Sequence, residues 1–195
     1  GLEISGNIEV ELTQDSVQSV RVSSRPSLLP YLITEVDDRG VLKLYTRKLH
    51  VNSPAKVRIS TGNIAEIVAS GACKINSFGK ITAENMKIEL SGVSQANLDL
   101  RVAQDLKVYL SGVSKAEIDG HAYKLYADVS GASQLEADDL LVRNAKVFGV
   151  SASQIEANVS DSLIVDVSGA SHFKTGRKPF YVKQYKSGGS SISID

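Results

Sequence analysis

Acidic side chains recur about every 20 residues in the second half of this 195-residue chain. Two sets of positions share the spacing, Asn97, Glu117, Glu136 and Glu156 in one set and Asp99, Asp119, Asp138 and Asn158 in the other. If each set lies in register on stacked strands, its carboxylates are about 5 Å apart and repel one another unless a cation lies between them. This acidic ladder could bind Ca²⁺ or a cationic partner, because hard cations take carboxylate oxygens. The alternative is an ordinary solvated face, on which the nearby Lys115 and Lys174 reduce the repulsion between the carboxylates.

Aromatic side chains follow the same spacing on a second set of positions. The set comprises Glu89, Tyr109, Asp128, Phe148 and Asp166, with Tyr123 and Tyr126 nearby. Exposed aromatic rings supply a large contact area at low entropic cost, so Tyr109 and Phe148 could form a platform for sugar rings or a partner protein. Ordinary cross-strand packing that stiffens a sheet is the competing interpretation.

Residues typical of catalytic or metal centres are sparse or periodic. His50, His121 and His172 are far apart in sequence and show no HxH or HExxH spacing, so we predict no histidine metal site. The sequence has no GxSxG elbow, P-loop or GxGxxG motif, and its many serines recur too regularly for one of them to be a nucleophile. Cys73 is the only cysteine and stands where neighbouring repeats place Ser, which predicts a small buried residue. We predict no catalytic residue and no cofactor.

Paired carboxylates leave one enzymatic alternative open. A glycosidase needs two carboxylates roughly 5 to 10 Å apart in a cleft. The acidic ladder meets the distance condition, but the sequence gives no sign of a cleft. The alternative function is therefore a carbohydrate-active enzyme on a β-helix scaffold.

A short repeat must position all of these residues. The anchor is SGAC at Ser70, SGVS at Ser91 and Ser111, SGAS at Ser130 and Ser168, VSAS at Val150 and SGGS at Ser187. The second positions of these motifs are 18 to 21 residues apart. Such regularity is typical of a solenoid, in which every copy is one structural unit.

The residues around each anchor alternate with a period of two. In KVYL, Val108 and Leu110 share one face while Lys107 and Tyr109 share the other. This pattern indicates strands. Each repeat is then a strand, a tight bend, a second strand and a looser third segment. Stacked coils of this kind predict an all-β fold, a single-stranded parallel β-solenoid with coils of about 20 residues. Crossover chirality favours a right-handed, β-helix-like path.

Residues on the inward face after each bend support close stacking. The pairs are Ala96/Leu98, Ala116/Ile118, Leu135/Ala137, Ile155/Ala157, Phe173/Thr175 and Ile192/Ile194. From Ala96 to Ala157, each layer combines a large and a small side chain, which keeps the layer volume nearly constant as a close-packed core requires. The glycines at the bends suit a positive φ angle, and the neighbouring serines can bond to freed backbone groups or to one another.

The whole chain is predicted to form one solenoid domain, residues 1–195. Residues 1–60 are less regular and predict N-terminal coils or a cap, with turn chemistry in VDDRGV, while residues 61–195 form the regular coils. A separate small β-domain ending near Ser53–Pro54 is the alternative. Basic and acidic residues are equal in number, 22 each, so bulk charge attracts neither nucleic acid nor an anionic membrane. No apolar run approaches the roughly 20 residues of a membrane-spanning helix.

The order of elements resembles a known family. The run GNIEVELTQDSVQSVRVSS, then LLPYLITEVDDRGVLKLYTRK, then SG[AV]S coils is similar to the head GIN-domain family of autotransporter adhesins from Bacteroides-type bacteria. The resemblance covers essentially the whole chain and implies a β-helix-like fold in the cell envelope or a secreted protein, often behind a signal or lipoprotein leader. It carries over no catalytic residues. Val150–Ser151 departs from the SG pattern, which leaves the geometry of that bend open.

These observations predict a non-enzymatic interaction or adhesion module. Its ligand would be a protein or a surface glycan held on a flat solenoid face, and contact with a membrane would come only through a lipid anchor on a removed leader. The candidate binding residues are Glu117, Asp119, Glu136, Asp138, Glu156, Asp99, Tyr109 and Phe148. An oligomer is compatible with the sequence, and Ca²⁺ is the one candidate ion.

Overall fold

The computed structural model describes residues 1–27, 29–47 and 54–195. His50 and Ser53 lie outside the described residues. The strands are β1 (Leu2–Gly6), β2 (Ile8–Gln14), β3 (Ser19–Ser23), β4 (Leu32–Val36), β5 (Leu42–Thr46), β6 (Ala55–Thr61), β7 (Glu66–Gly71), β8 (Lys74–Ser77), β9 (Ile81–Ala83), β10 (Met86–Leu90), β11 (Gln95–Leu110), β12 (Lys115–Val129), β13 (Gln134–Gly149), β14 (Gln154–Val167), β15 (His172–Thr175), β16 (Tyr181–Lys186) and β17 (Ser191–Ile194). A 3₁₀ turn spans Leu29–Tyr31. No helix in the described ranges is long and apolar enough to cross a membrane.

The strands stack as parallel coils, which confirms the predicted β-solenoid. Gln95 on β11 aligns with Lys115 on β12, 20 residues later, and Lys115 aligns with Gln134 on β13. We call the strands that precede each bend the first face; they run in the order β5, β1, β7, β10, the C-terminal parts of β11 to β14, and β16. The strands that follow each bend are the second face, in the order β6, β2, β8, the N-terminal parts of β11 to β14, β15 and β17.

The N-terminal strands do not stack in chain order. β1 pairs with both β5 and β7, and β2 pairs with both β6 and β8. The chain therefore begins inside the stack and adds the coil of β5 and β6 outside it afterwards. β3 and β4 then run antiparallel along the outer edges of β6 and β5. They cover strand edges that would otherwise be open to pairing with another chain.

The turn predicted from VDDRGV joins β4 to β5. The Gly40 N–H donates to the Asp37 carbonyl oxygen at 2.9 Å. The Asp37 carboxylate accepts bonds from the backbone N–H groups of Arg39 and Val41, both at 3.0 Å. These bonds, with that from Val41 the largest contribution, lower the pKa of Asp37 to about 2. A charged aspartate thus holds this hairpin turn closed.

The predicted inward columns form the core. Ala116 aligns with Ala96 on one side and with Leu135 on the other, and Ile155 and Phe173 continue the column. All five residues are at most 4% exposed. One apolar cluster runs from Leu2 to Phe173, with Ile192 and Ile194 packed against it. Burial of apolar surface along this column is the main force that holds one coil on the next.

The bends repeat the same backbone geometry. Gly112 and Gly131 have φ angles of 78° and 76°. Ser151, where the motif departs from SG, has φ 76°, so its bend keeps the glycine geometry with a side chain in place. Behind the bends, a column of buried serines satisfies the backbone: the hydroxyls of Ser94 and Ser114 donate to the carbonyl oxygens three residues earlier at 2.8 and 2.7 Å. This confirms the predicted role of the serines.

Candidate binding face

The first column of the acidic ladder lies in register on the second face. Asn97 aligns with Glu117, Glu117 with Glu136, and Glu136 with Glu156. The next coil places Lys174 beside Glu156. Lys115 also reaches this column, with its Nζ 2.8 Å from Glu136. The three glutamates are therefore neighbours with a lysine at one end and another alongside.

The second column of the ladder is displaced where the third segment of the coil begins. Asp99 aligns with Asp119, but the register between β12 and β13 shifts after Glu117. Asn158 aligns with Leu141 rather than with Asp138, and its side-chain amide donates to the Asp138 carbonyl oxygen at 3.2 Å. Extra residues in the third segment cause the shift, which a uniform 20-residue period does not predict.

The carboxylates of this second column still influence one another. The pKa of Asp119 is raised, first by burial and then by the charges of Asp139, Asp99 and Asp138. Asp99 forms an ion pair with Lys80, with the Lys80 Nζ 3.7 Å from its Oδ1. Within the part of the chain that the structure describes, no group of three or more His, Cys, Asp or Glu side chains is arranged to hold a metal ion.

The depression beside the ladder offers no pair of catalytic carboxylates. It has a volume of about 170 Å³ and is lined by Lys74, Asn76, Asn97 and Lys115, with Glu117 as its one carboxylate. A glycosidase requires an acid and a second carboxylate across one cleft. The geometry at this depression therefore does not favour the enzymatic alternative.

The aromatic positions lie in register on the first face. Tyr109 aligns with Glu89 and Asp128, and Phe148 aligns with Asp128 and Asp166. Because outward residues alternate along a strand, a second outward column lies beside this one. That column reads Lys87, Lys107, Tyr126, Lys146, Ile164 and Lys183. The first face thus carries an aromatic and acidic column next to a basic one.

Three rings bridge the two columns as a continuous row. Tyr126 lies 5.7 Å from Tyr109 and 5.7 Å from Phe148, measured between ring centroids, with interplanar angles of 45° and 50°. All three side chains are half-buried. We call Tyr109, Tyr126 and Phe148 the ring row. Tyr123 lies apart from it, with its ring beside Lys124 and Arg143.

Lysines surround the ring row, and the column patterns in the sequence did not predict them. Lys87 and Lys146 lie over the rings of Tyr109 and Phe148, at 5.9 and 5.0 Å from the centroids. Such contacts are favourable because the ring face is negative. The signal was available as a recurring Lys-x-aromatic pattern, at 107–109, 124–126, 146–148 and 183–185.

A shallow groove of about 400 Å³ runs beside the ring row. Its lining includes Lys107, Lys124, Tyr126 and Lys146, together with Asp105. The pKa of Tyr126 is raised, first by burial and then by Asp128 and Tyr109, so its hydroxyl stays protonated at neutral pH and can donate a hydrogen bond. The groove therefore combines an apolar wall, a hydroxyl and three cations.

A family model matches most of the chain, and solved structures share its fold. Residues 1–179 match the model of the family described as "Putative auto-transporter adhesin, head GIN domain". A solved structure of a putative adhesin from Bacteroides fragilis is similar over 100% of this chain and 91% of its own, with a TM-score of 0.89 and 20% identity. A second similar structure is that of a putative lipid binding protein from Parabacteroides distasonis, with a TM-score of 0.74 and 16% identity over 100% of this chain and 91% of its own. A third is that of a putative adhesin from Parabacteroides merdae, with a TM-score of 0.66 and 17% identity over 100% of this chain and 90% of its own. No curated protein sequence matches the chain.

Proposed function

Because the chain belongs to the family described as "Putative auto-transporter adhesin, head GIN domain", we propose that it is a non-enzymatic adhesion module of the bacterial cell surface or envelope and that it binds a glycan on its first face. The observation that supports the binding site is the ring row, in which Tyr126 contacts both Tyr109 and Phe148. The face on which it lies is a sheet with outward residues that recur from coil to coil. A linear ligand that repeats along its length would match such a surface.

Aromatic rings and lysines together suit a sugar polymer. The apolar faces of sugar rings pack on aromatic side chains, and the hydroxyls of sugars accept and donate hydrogen bonds. Tyr126 and the surrounding lysines supply donors at the edges of the ring row. By contrast, packing that served only to stiffen the sheet would need no free donors beside the rings.

Binding to a glycan array tests this proposal. The full chain and the double variant Tyr109→Ala, Phe148→Ala are applied to one broad array, with Phe78→Ala as the matched control. Phe78 is 79% exposed and lies outside the ring row, so its removal takes away an exposed ring without touching the site. Both variants should keep the far-ultraviolet circular dichroism spectrum of the wild type.

We expect a saturable signal for the wild type and for Phe78→Ala, and loss of that signal for the double variant. Truncation of an aromatic side chain that is a binding hot spot costs about 2 kcal/mol or more, which is about 30-fold in affinity. A signal that the double variant retains would place binding elsewhere on the molecule. The absence of any glycan signal would overturn the glycan ligand and direct the search to protein partners by crosslinking in cells.

A further inference from the structure

Within the basic column of the first face, cations alternate with a ring. Lys107 aligns with Tyr126, and Tyr126 aligns with Lys146. The order arises because the Lys-x-aromatic pattern shifts by two residues on β12. Lys124 and Tyr126 occupy positions two residues earlier, relative to the coil, than Lys107 and Tyr109 do on β11. A tyrosine consequently stands between two lysines instead of continuing a column of like charges.

A third lysine completes the arrangement. Lys124 precedes Tyr126 by two residues on the same strand, so both point outward, about 6.7 Å apart along the strand. Lys107 and Lys146 lie one coil to either side of Tyr126, roughly 4.8 Å away in each direction between backbones. Three lysines therefore flank Tyr126 by backbone position and line the same groove. In this structure, the Nζ of Lys124 lies over the Tyr123 ring and that of Lys146 over the Phe148 ring.

These three lysines form no ion pair within the described residues, in contrast to Lys87 on the same face. Lys87 forms ion pairs with Glu66 at 3.2 Å and Glu89 at 2.9 Å. Lys107, Lys124 and Lys146 have no carboxylate within 4.0 Å among residues 1–27, 29–47 and 54–195. Their charges are thus available to a ligand.

The lining of the groove is mostly positive. The lining contains three lysines and one acid, Asp105, while Asp128 lies on the far side of Tyr126 along the same strand. The chain as a whole has a formal net charge of zero. A long polyanion such as a nucleic acid would meet the acidic positions Glu89, Asp128 and Asp166 along the same face, so the groove suits a compact anionic group better than a continuous phosphate backbone.

We propose that this groove binds an acidic glycan unit, with a sugar ring packed against Tyr126 and its carboxylate or sulfate groups held by Lys107, Lys124 and Lys146. The inference rests on the proposed glycan-binding function and names the substrate class, uronate-containing or sulfated saccharides. Two acidic units of one polymer can engage Lys107 and Lys146 together because these lysines lie two coils apart, about 9.6 Å. Charge-assisted hydrogen bonds from ammonium groups to such oxygens are stronger than those to neutral sugar hydroxyls.

The experiment measures the affinity of the full chain for three soluble oligosaccharides of equal length: a polyuronate fragment, a sulfated fragment and an uncharged fragment. The test variant is Lys107→Gln with Lys146→Gln. The matched control is Lys74→Gln with Lys174→Gln, which removes the same charge from the second face. A short DNA duplex provides an anion without sugar acids.

We expect the acidic fragments to bind at least tenfold more tightly than the uncharged one, with affinity that falls as salt is added. The test variant should lose about 10- to 100-fold of that affinity, while the control changes by less than about threefold. The relative affinities of the uronate and sulfated fragments identify which acid group the groove prefers.

Four outcomes would overturn the inference. Equal affinity for acidic and uncharged fragments, or an equal loss in the test and control variants, would show that the lysines do not select the ligand, yet the proposed glycan function would stand. Tighter binding to DNA than to either acidic fragment would indicate a general anion patch. A lack of binding to all three fragments, together with a negative array, would overturn both proposals.

Discussion

Ser151 is the residue at which the backbone geometry of the solenoid and the sequence disagree, and replacing it with glycine should stabilise the protein. It is the one residue other than glycine with a positive φ among those the structure describes. Its side chain is exposed and forms no hydrogen bond within the described residues. The substitution Ser151→Gly therefore removes strain without removing a contact.

The expected gain follows from two opposing terms. A left-handed backbone conformation costs a residue other than glycine about 1–2 kcal/mol. Glycine in turn gives the unfolded chain more freedom, which costs about 0.4–1 kcal/mol. We expect Ser151→Gly to raise the free energy of unfolding by about 0.5–1 kcal/mol, which for a chain of this size raises the melting temperature by about 1–4 °C.

The reverse change at an equivalent bend should have a larger effect. A Cβ added to Gly112 would lie 2.7 Å from the carbonyl oxygen of Gly92 in the previous coil. That oxygen accepts a hydrogen bond from the Val113 N–H at 2.8 Å, so the neighbouring bend must shift to accommodate the Cβ. Strain and crowding together should make Gly112→Ala destabilising by about 2–4 kcal/mol.

Thermal and urea unfolding followed by circular dichroism measure both effects, with Ala152→Gly as the control. Ala152 lies at the same bend with an ordinary φ, so glycine there should destabilise by about 0.4–1 kcal/mol. The three variants should therefore change stability with different signs at one type of bend. If Ser151→Gly is as destabilising as Ala152→Gly, the left-handed conformation of Ser151 costs nothing and the strain argument is wrong.

Three further predictions concern ionisable residues. Asp119→Asn should raise the melting temperature at pH 7, because the pKa of Asp119 is raised in the folded protein and its charged form therefore destabilises the fold. The difference in melting temperature between the variant and the wild type should vanish as pH falls below 3.8, the ordinary pKa of aspartate, and should shrink in high salt. Asp37→Asn should speed hydrogen exchange of the Val41 amide at neutral pH. In the wild type, the turn should loosen as pH falls from 3.8 through about 2, because the lowered pKa of Asp37 means that only its charged form stabilises the turn. Equal exchange rates at Val41 in the variant and the wild type at pH 7 would contradict this. Cys73 should resist a thiol reagent at pH 8 unless the protein is unfolded, since burial raises its pKa to about 11; rapid labelling of the folded protein would refute this. Cys73→Ser should shift the melting temperature by less than about 3 °C, because the Cys73 Sγ already bonds the Ser70 carbonyl oxygen as the serine hydroxyls do at other bends.

The sequence predicted the coil because each coil is specified locally. Alternation in segments such as Lys107 to Leu110, a glycine at every bend of the repeat except that of Ser151, and a small residue, Ser or Cys73, two positions later all recur at a spacing close to the true one. Local pattern, turn chemistry and packing thus indicate the same structure, and their agreement is what makes a fold predictable. The columns that were assigned by counting 20 residues are correct wherever neighbouring coils have equal lengths.

Two features could not be found in this way, for one physical reason. β1 pairs with β5 and β7, although the edges of other strands offer the same backbone hydrogen bonds. The local sequence pattern therefore does not specify which strands β1 pairs with. The shift that separates Asn158 from Asp138 depends on how extra residues of the third segment are absorbed. Both are properties of contacts between coils rather than of one coil. Pattern analysis of a single repeat does not contain them.

The same distinction explains why the binding face was only partly identified. Searching each column for one residue type finds Tyr109 and Phe148, but Tyr126 lies in the adjacent column and completes the ring row only across coils. The lysines around it have no fixed place in the repeat, since Lys124 is shifted relative to Lys107 and Lys146. The inward and bend positions must satisfy the stack at every coil, whereas outward positions are free to vary. A departure from the period on an outward column is therefore where a ligand-specific arrangement can arise, and the shifted Lys-x-aromatic pattern on β12 is such a departure.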